Sequence, residues 1–133
     1  MACVFRRRFY YTGKSEMKIR DIINTLDATL ICGTAHLERE VQTAGASDLM
    51  SDILAGFSDG CLLLTGLTTI QVIRTALVTG VGAIVFVRHK RPAEEVIELA
   101  RAENLPLIST PCSMFVSCGR LHDRGITGLD GSR

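Results

Sequence analysis

From Met17 onward, short unbroken apolar runs alternate with stretches whose apolar residues recur every three or four positions. That alternation predicts a sheet with helices covering both of its faces. The stretch MKIRDIINTL opens the series, with Ile19, Ile22, Ile23 and Leu26 at helical spacing. TLIC (29–32) is too short and too β-branched for a helix and predicts a strand; 33–40 predicts a loop and 41–47 a second, weaker strand. Residues 48–57 place Leu49, Met50, Ile53, Leu54 and Phe57 on one helical face, and Gly56, Asp59 and Gly60 end it. CLLLT (61–65), AIVFV (83–87) and LPLIS (105–109) lack the polar alternation of a half-exposed strand, as expected of strands buried on both faces. Helices are predicted between them over 69–78, closed by Gly80, and over 92–103, with Pro92 in the first turn. The last helix is predicted to start at Thr110-Pro111, with Thr110 as its cap and Met114, Phe115, Cys118 and Leu121 as its apolar face.

The pattern predicts one α/β domain over residues 17–127. It has three layers, α/β/α, around a mostly parallel sheet of about five strands joined by right-handed crossovers. The polar, Gly-rich end, residues 128–133, reads as a flexible tail. Residues 1–16 read as a separate basic extension, because Arg6, Arg7, Arg8 and Lys14 stand there against Glu16 alone. Three readings of it stay open: an upstream extension with Met17 the functional beginning, a disordered basic arm, or a targeting segment without the apolar region of a secretory signal.

Composition narrows the function classes. With 133 residues there is room for one core. A net charge of +1 gives no basic field for nucleic acid, and Phe57, Phe86 and Phe115 are too few for a base-stacking surface along a strand. No apolar run is long enough to span a membrane. Five cysteines, an odd number and partly inside apolar segments, read as reduced thiols of a cytoplasmic protein. A mean hydropathy of +0.25 with few aromatics leaves apolar helix surface to spare, which predicts a homo-oligomer, most simply a homodimer.

In an open parallel sheet, ligands bind beyond the carboxyl ends of the strands. Those ends here deliver Ser47 and Asp48, then Thr65, Gly66, Thr68 and Thr69, then Arg88, His89, Lys90 and Arg91, and finally Ser109, Thr110 and Cys112. Ser47, Asp48, Thr65, Gly66, Thr68, Thr69 and Thr110 form the candidate ligand-binding set, suited to an anionic, phosphate-bearing molecule. Ordinary helix capping explains the same residue types, and a cluster such as RHKR also reads as a solvated loop.

Catalytic patterns are weak. TGLTT lacks the lysine of a phosphate-binding loop, and GVGA at 80–83 precedes a strand instead of following one. Asp48 and Asp52 are spaced to share a divalent cation, although acids in a first helical turn are also favoured by the helix dipole. Cys118 and His122, one turn apart, offer two metal ligands, but Cys118 falls on the apolar face. His36 and His89 are isolated. Cys112, placed by the pattern in a first helical turn, is the one thiol with a setting for reactivity. No metal and no cofactor is called for by these spacings.

The strings MKIRDIINTLDATLICG, ASDLMSDIL, LLLTGLTT, AIVFVRHKRPAEEVIELARAENLPLIST and PCSMFVSCGRL together resemble the DRTGG domain family over nearly all of 17–127. The eponymous motif has no contiguous counterpart; its nearest material is Glu38-Arg39 followed by Thr43-Ala44-Gly45. The resemblance implies a domain similar to the amino-terminal domain of HPr kinase/phosphorylase, used for regulation or ligand sensing and without catalysis of its own. The leading expectation is therefore a non-catalytic regulatory domain whose ligand is a nucleotide or phosphorylated metabolite. The alternatives are a protein-interaction or dimerisation subunit, and a small thiol-dependent enzyme using Cys112.

Overall fold

A computed structural model of the chain describes residues 17–129, so the expectations for 1–16 and for 130–133 lie outside the described residues. The elements follow the order β1 (Met17–Lys18), α1 (Ile19–Thr25), β2 (Thr29–Cys32), a 3-10 turn (Thr34–His36), β3 (Glu40–Val41), β4 (Thr43–Ala46) and α2 (Met50–Gly56). Then come β5 (Leu62–Thr65), α3 (Ile70–Thr79), β6 (Ala83–Phe86), α4 (Glu94–Ala102), β7 (Leu107–Ser109), α5 (Met114–Asp123) and β8 (Thr127–Gly128).

Among the described residues the main sheet has six strands in the order β2-β7-β6-β5-β4-β8. Every pairing is parallel except that of β2 with β7, where Thr29 lies opposite Ser109. The expected three-layer α/β fold is thus the observed one. Its sixth strand, β8, comes from the polar segment after Ile126, which pairs with β4 at Thr43↔Thr127 and Ala44↔Gly128.

The unalternated runs bury both of their faces. Leu63, Ile84, Phe86 and Leu107 face a core completed by Ile53 of α2, Val72, Ile73 and Ala76 of α3, and Val96, Ile97 and Ala100 of α4. Leu62, Leu64, Ala83, Val85 and Ile108 face the opposite core, closed by Ile22 of α1 and Leu121 of α5. Full burial of a side chain the size of Phe86 contributes roughly 2–3 kcal/mol, so these two sets carry the fold. Gly45 has a packing role: a Cβ there would lie 2.5 Å from the ring of Phe57, which rests directly on the β4 backbone. Among the described residues no helix is long and apolar enough to cross a membrane.

Several boundaries differ from the sequence expectation, each for a local reason. The first helix begins at Ile19, because Met17–Lys18 pairs antiparallel with Glu40–Val41, and this splits the expected 41–47 strand into β3 and β4. Helix α2 begins at Met50, and only Ile53 of its expected apolar face is fully buried; Leu49 and Leu54 are exposed. Pro92 precedes α4, whose cap position is Ala93.

The largest change is at the last helix, which begins three residues after Pro111. The carbonyls of Thr110 and Cys112, which a helix starting there would use internally, accept instead from the N–H groups of His89 (2.8 Å) and Arg88 (2.9 Å). Ser113 becomes the cap, its hydroxyl accepting from the Val116 N–H at 3.2 Å. The helix is rotated accordingly, and Phe115, expected in the core, is 86% exposed.

Candidate functional site

Strands β4, β5, β6 and β7 run in parallel, so the segments that follow them gather at one edge of the sheet. Between β6 and α4 the chain turns sharply over Val87–Lys90, closed by a Lys90 N–H to Val87 carbonyl bond of 3.2 Å. Both central residues have positive φ, 58° at Arg88 and 61° at His89. Such a turn normally takes Asn and Gly, and each larger side chain held in this region costs about 1 kcal/mol or more. The conformation is held by neighbours: the two bonds to the Thr110 and Cys112 carbonyls, and the Ser109 hydroxyl donating to the Lys90 carbonyl at 2.8 Å.

This turn forms one wall of a cleft of about 390 Å³. Val87, Arg88 and Lys90 line it on the β6 side, Asp48, Gly66 and Leu67 beside β4 and β5, and Ser113, Met114 and Phe115 on the first turn of α5. A volume of this order suits a small-molecule ligand, and the two exposed cations Arg88 and Lys90 favour an anionic one.

The seven residues expected as a ligand-binding set are used unequally. Asp48 and Gly66 line the cleft. The Asp48 carboxylate accepts from the Gly66 N–H and from the Thr65 hydroxyl, both at 2.8 Å, through the same Oδ1. Thr65 is fully buried, and its oxygen also accepts from the Leu67 N–H at 3.2 Å. An anion would therefore meet Asp48 before it met either donor. Ser47 accepts from the Leu49 N–H at 3.0 Å and donates to Asp52 at 3.2 Å, serving the start of α2. Thr69 occupies the cap position of α3 and is exposed, with Thr68 half-buried just before it; neither lines the cleft. Thr110 is completely buried, its hydroxyl donating to the Leu26 carbonyl at 2.6 Å and accepting from the Cys112 N–H at 3.1 Å.

The lining residues that sequence reasoning did not place in the set include Arg88, Lys90, Ser113 and Phe115. Arg88 and Lys90 were visible as cations at a strand end; Ser113 was passed over because Thr110 was read as the cap. The exposure of Phe115 follows from the later helix start and has no local signal.

A second cavity, of about 380 Å³, lies between β4 and α5 and is lined mainly by small or apolar residues such as Ala44, Ala46, Leu64 and Ile126. Cys118 and His122 line its α5 wall, where burial pushes the Cys118 thiol above its usual range. No lysine or arginine lines this cavity. The other paired groups weighed for metal do not converge: Asp48 is turned to β5 while Asp52 accepts from Ser47. Among the described residues no group of three or more His, Cys, Asp or Glu is arranged to hold a metal ion. The thiol of Cys112 donates to a backbone carbonyl, that of Leu26, at 3.6 Å. At the opposite edge of the sheet, Arg39 donates to the Gly82 carbonyl at 2.7 Å and sits 3.2 Å from His36 Nδ1.

No curated protein matches the chain in sequence. Among solved structures it is similar to the crystal structure of the CBS and DRTGG domains of the regulatory region of Clostridium perfringens pyrophosphatase, complexed with the activator diadenosine tetraphosphate. The TM-score is 0.69 at 16% sequence identity, over 97% of this chain, and the chain spans 60% of the length of that one. The family model of the DRTGG domain matches residues 21–123, from within α1 to the last residue of α5. That match takes in most of both cores and every strand of the main sheet but β8, and the chain belongs to the DRTGG domain family.

Proposed function

We propose that this chain is a non-catalytic regulatory domain that senses a phosphorylated small molecule in the cleft at the carboxyl edge of its sheet. The observation that carries the reading is the Val87–Lys90 turn: two residues are held at positive φ by bonds from the β7–α5 connection, and the result is Arg88 and Lys90 on one cleft wall. Backbone strain maintained by its surroundings is characteristic of binding sites. The nucleotide activator bound by the pyrophosphatase regulatory region, 60% of whose length this chain matches in fold, supports a ligand of that general chemistry. In this reading Thr69 serves as the cap position of α3 with Thr68 before it, and the buried Thr65 and Thr110 hold the neighbouring backbone in place. Free thiols at Cys32, Cys61, Cys112 and Cys118 support the reducing cytoplasm as its compartment.

The test is a thermal-shift screen against nucleotides, dinucleotides and sugar phosphates. A ligand at 100 times its Kd should raise the Tm by on the order of 10 °C, and Arg88→Ala with Lys90→Ala should abolish the rise. A screen without any stabilising compound, or an undiminished rise in the double variant, refutes the reading.

A self-associating subunit is the second reading, favoured by Leu54 on α2 and Val78 on α3. These residues are 55% and 78% exposed on neighbouring helices of the same layer. Sedimentation equilibrium at tens of micromolar decides it: a dimer dissociated by Leu54→Lys supports it, and a monomer throughout excludes a homodimer at that concentration.

A further inference from the structure

We propose that Phe115 is a stacking platform, so that the cleft selects phosphorylated ligands carrying a planar base over sugar phosphates and inorganic polyphosphates. The proposal rests on the cleft reading above and narrows its ligand class. Three aromatic residues lie in the described chain, and two of them are in or against the core: Phe86 is fully buried, and Phe57 packs on Gly45. Phe115 is 86% exposed and lines the same cleft as Arg88 and Lys90.

Its backbone is held firmly. The Ser113 hydroxyl caps the first turn of α5 through the Val116 N–H. Farther along the helix, Arg120 reaches the Thr25 carbonyl at 3.2 Å and the Asp27 carboxylate at 3.1 Å, tying α5 to the end of α1. A large apolar ring carried on an anchored helix and left in water gains most from a flat partner that covers it. The cations Arg88 and Lys90, which line the same cleft, supply the attraction for phosphate. Together they put an aromatic ring and two cations in one cleft of about 390 Å³, the complement of a nucleotide. Stacking tolerates any base, with purines covering more of the ring than pyrimidines, so the cleft is expected to favour purine nucleotides.

The absence of Trp from the chain makes Phe115→Trp a single fluorescent reporter. ADP, ribose 5-phosphate and inorganic tripolyphosphate are titrated into the full chain, its Phe115→Trp and Phe115→Ala variants, and Arg88→Ala with Lys90→Ala. ADP is expected to bind most tightly and to quench the reporter, whereas ribose 5-phosphate and tripolyphosphate leave it unquenched. Phe115→Ala should weaken ADP about tenfold or more, leave tripolyphosphate unchanged and keep the parent Tm, since the ring is exposed. Equal affinity for ADP and tripolyphosphate, both lost in the double cation variant, would overturn stacking while leaving the anion cleft standing. Binding of none of the three probes would overturn this proposal, while the wider reading would still await its full screen. A chain that dimerises and becomes monomeric on Phe115→Ala, with ADP affinity unchanged, would assign the ring to contact between copies and also overturn it.

Discussion

The hydroxyl of Thr110 donates to the carbonyl of Leu26 at 2.6 Å, joining the end of β7 to the end of α1 across 84 residues of sequence. Leu26 follows the last helical residue of α1 and is itself completely buried, as is Thr110. The bond satisfies a carbonyl at a helix end and fixes the loop from which Arg88 and His89 take their own bonds. Thr110→Val keeps the shape and removes the donor. We expect it to lower stability by about 1–3 kcal/mol in urea unfolding, because the Leu26 carbonyl keeps only the weak thiol donor of Cys112 and the Cys112 N–H loses its acceptor. A loss within about 0.5 kcal/mol would mean that packing and the backbone bonds from Arg88 and His89 hold the connection without it.

Asp48 places a carboxylate on the wall of a cleft read as anion-binding, with its Oδ1 occupied by Thr65 and Gly66. Asp48→Asn retains an acceptor oxygen and removes the charge. The affinity for ADP or tripolyphosphate should rise roughly 3- to 10-fold, as about 1 kcal/mol of like-charge repulsion is removed, and more at low salt than at high salt. Calorimetric titration at two ionic strengths checks this. An affinity that falls would show Asp48 to be a ligand contact.

Gly45 cannot carry a side chain without moving Phe57, whose ring would lie 2.5 Å from the added Cβ. Gly45→Ala should cost about 1–3 kcal/mol by overpacking. Phe57→Leu in the same chain should recover part of that loss, because the smaller side chain leaves room. Non-additivity in this double-mutant cycle is the diagnostic result; simple addition would exclude the clash as the cause.

Cys112 should be the first of the four described cysteines to react with iodoacetamide in the native state. Cys32 and Cys61 are buried, and burial raises those thiols and that of Cys118, which holds down the thiolate fraction at neutral pH. Peptide mapping by mass spectrometry reads the order. Faster labelling of Cys118 would mean that α5 opens away from the sheet.

The same raised thiols set a pH dependence. A folded-state value above the unfolded one means that the folded chain holds its protons longer, so stability falls as pH rises. The contribution is intact below the ordinary thiol value of 9.0 and declines from there through the raised folded values of Cys32, Cys61 and Cys118. Urea midpoints measured under reductant should drop across this window, and replacing the three thiols by Ala should flatten the slope. A midpoint that rises with pH would reverse the assignment.

What the sequence by itself determined is the layering. Leu62, Leu63 and Leu64, and all of Ala83–Phe86, are apolar at consecutive positions, and only a strand covered on both faces can bury such a run, so the central strands and the three-layer order were legible. The 3.6-residue period of Val96, Ile97 and Ala100 likewise declared the inner face of α4. Tertiary structure decided the edges and the cleft. Strand β8 has no apolar signal, because an edge pair such as Thr43↔Thr127 is held by backbone groups that every residue carries. The start of α5 was settled by competition for the Thr110 and Cys112 carbonyls, which the β6 turn claims from more than twenty residues away, and a local cap preference does not register such a rival. Asp48 and Gly66 were readable as strand-end residues, yet their bond to each other, like the exposure of Phe115, depends on how separate elements meet. Local periodicity records which face of an element turns inward; the partners of its polar groups are chosen only when the layers close.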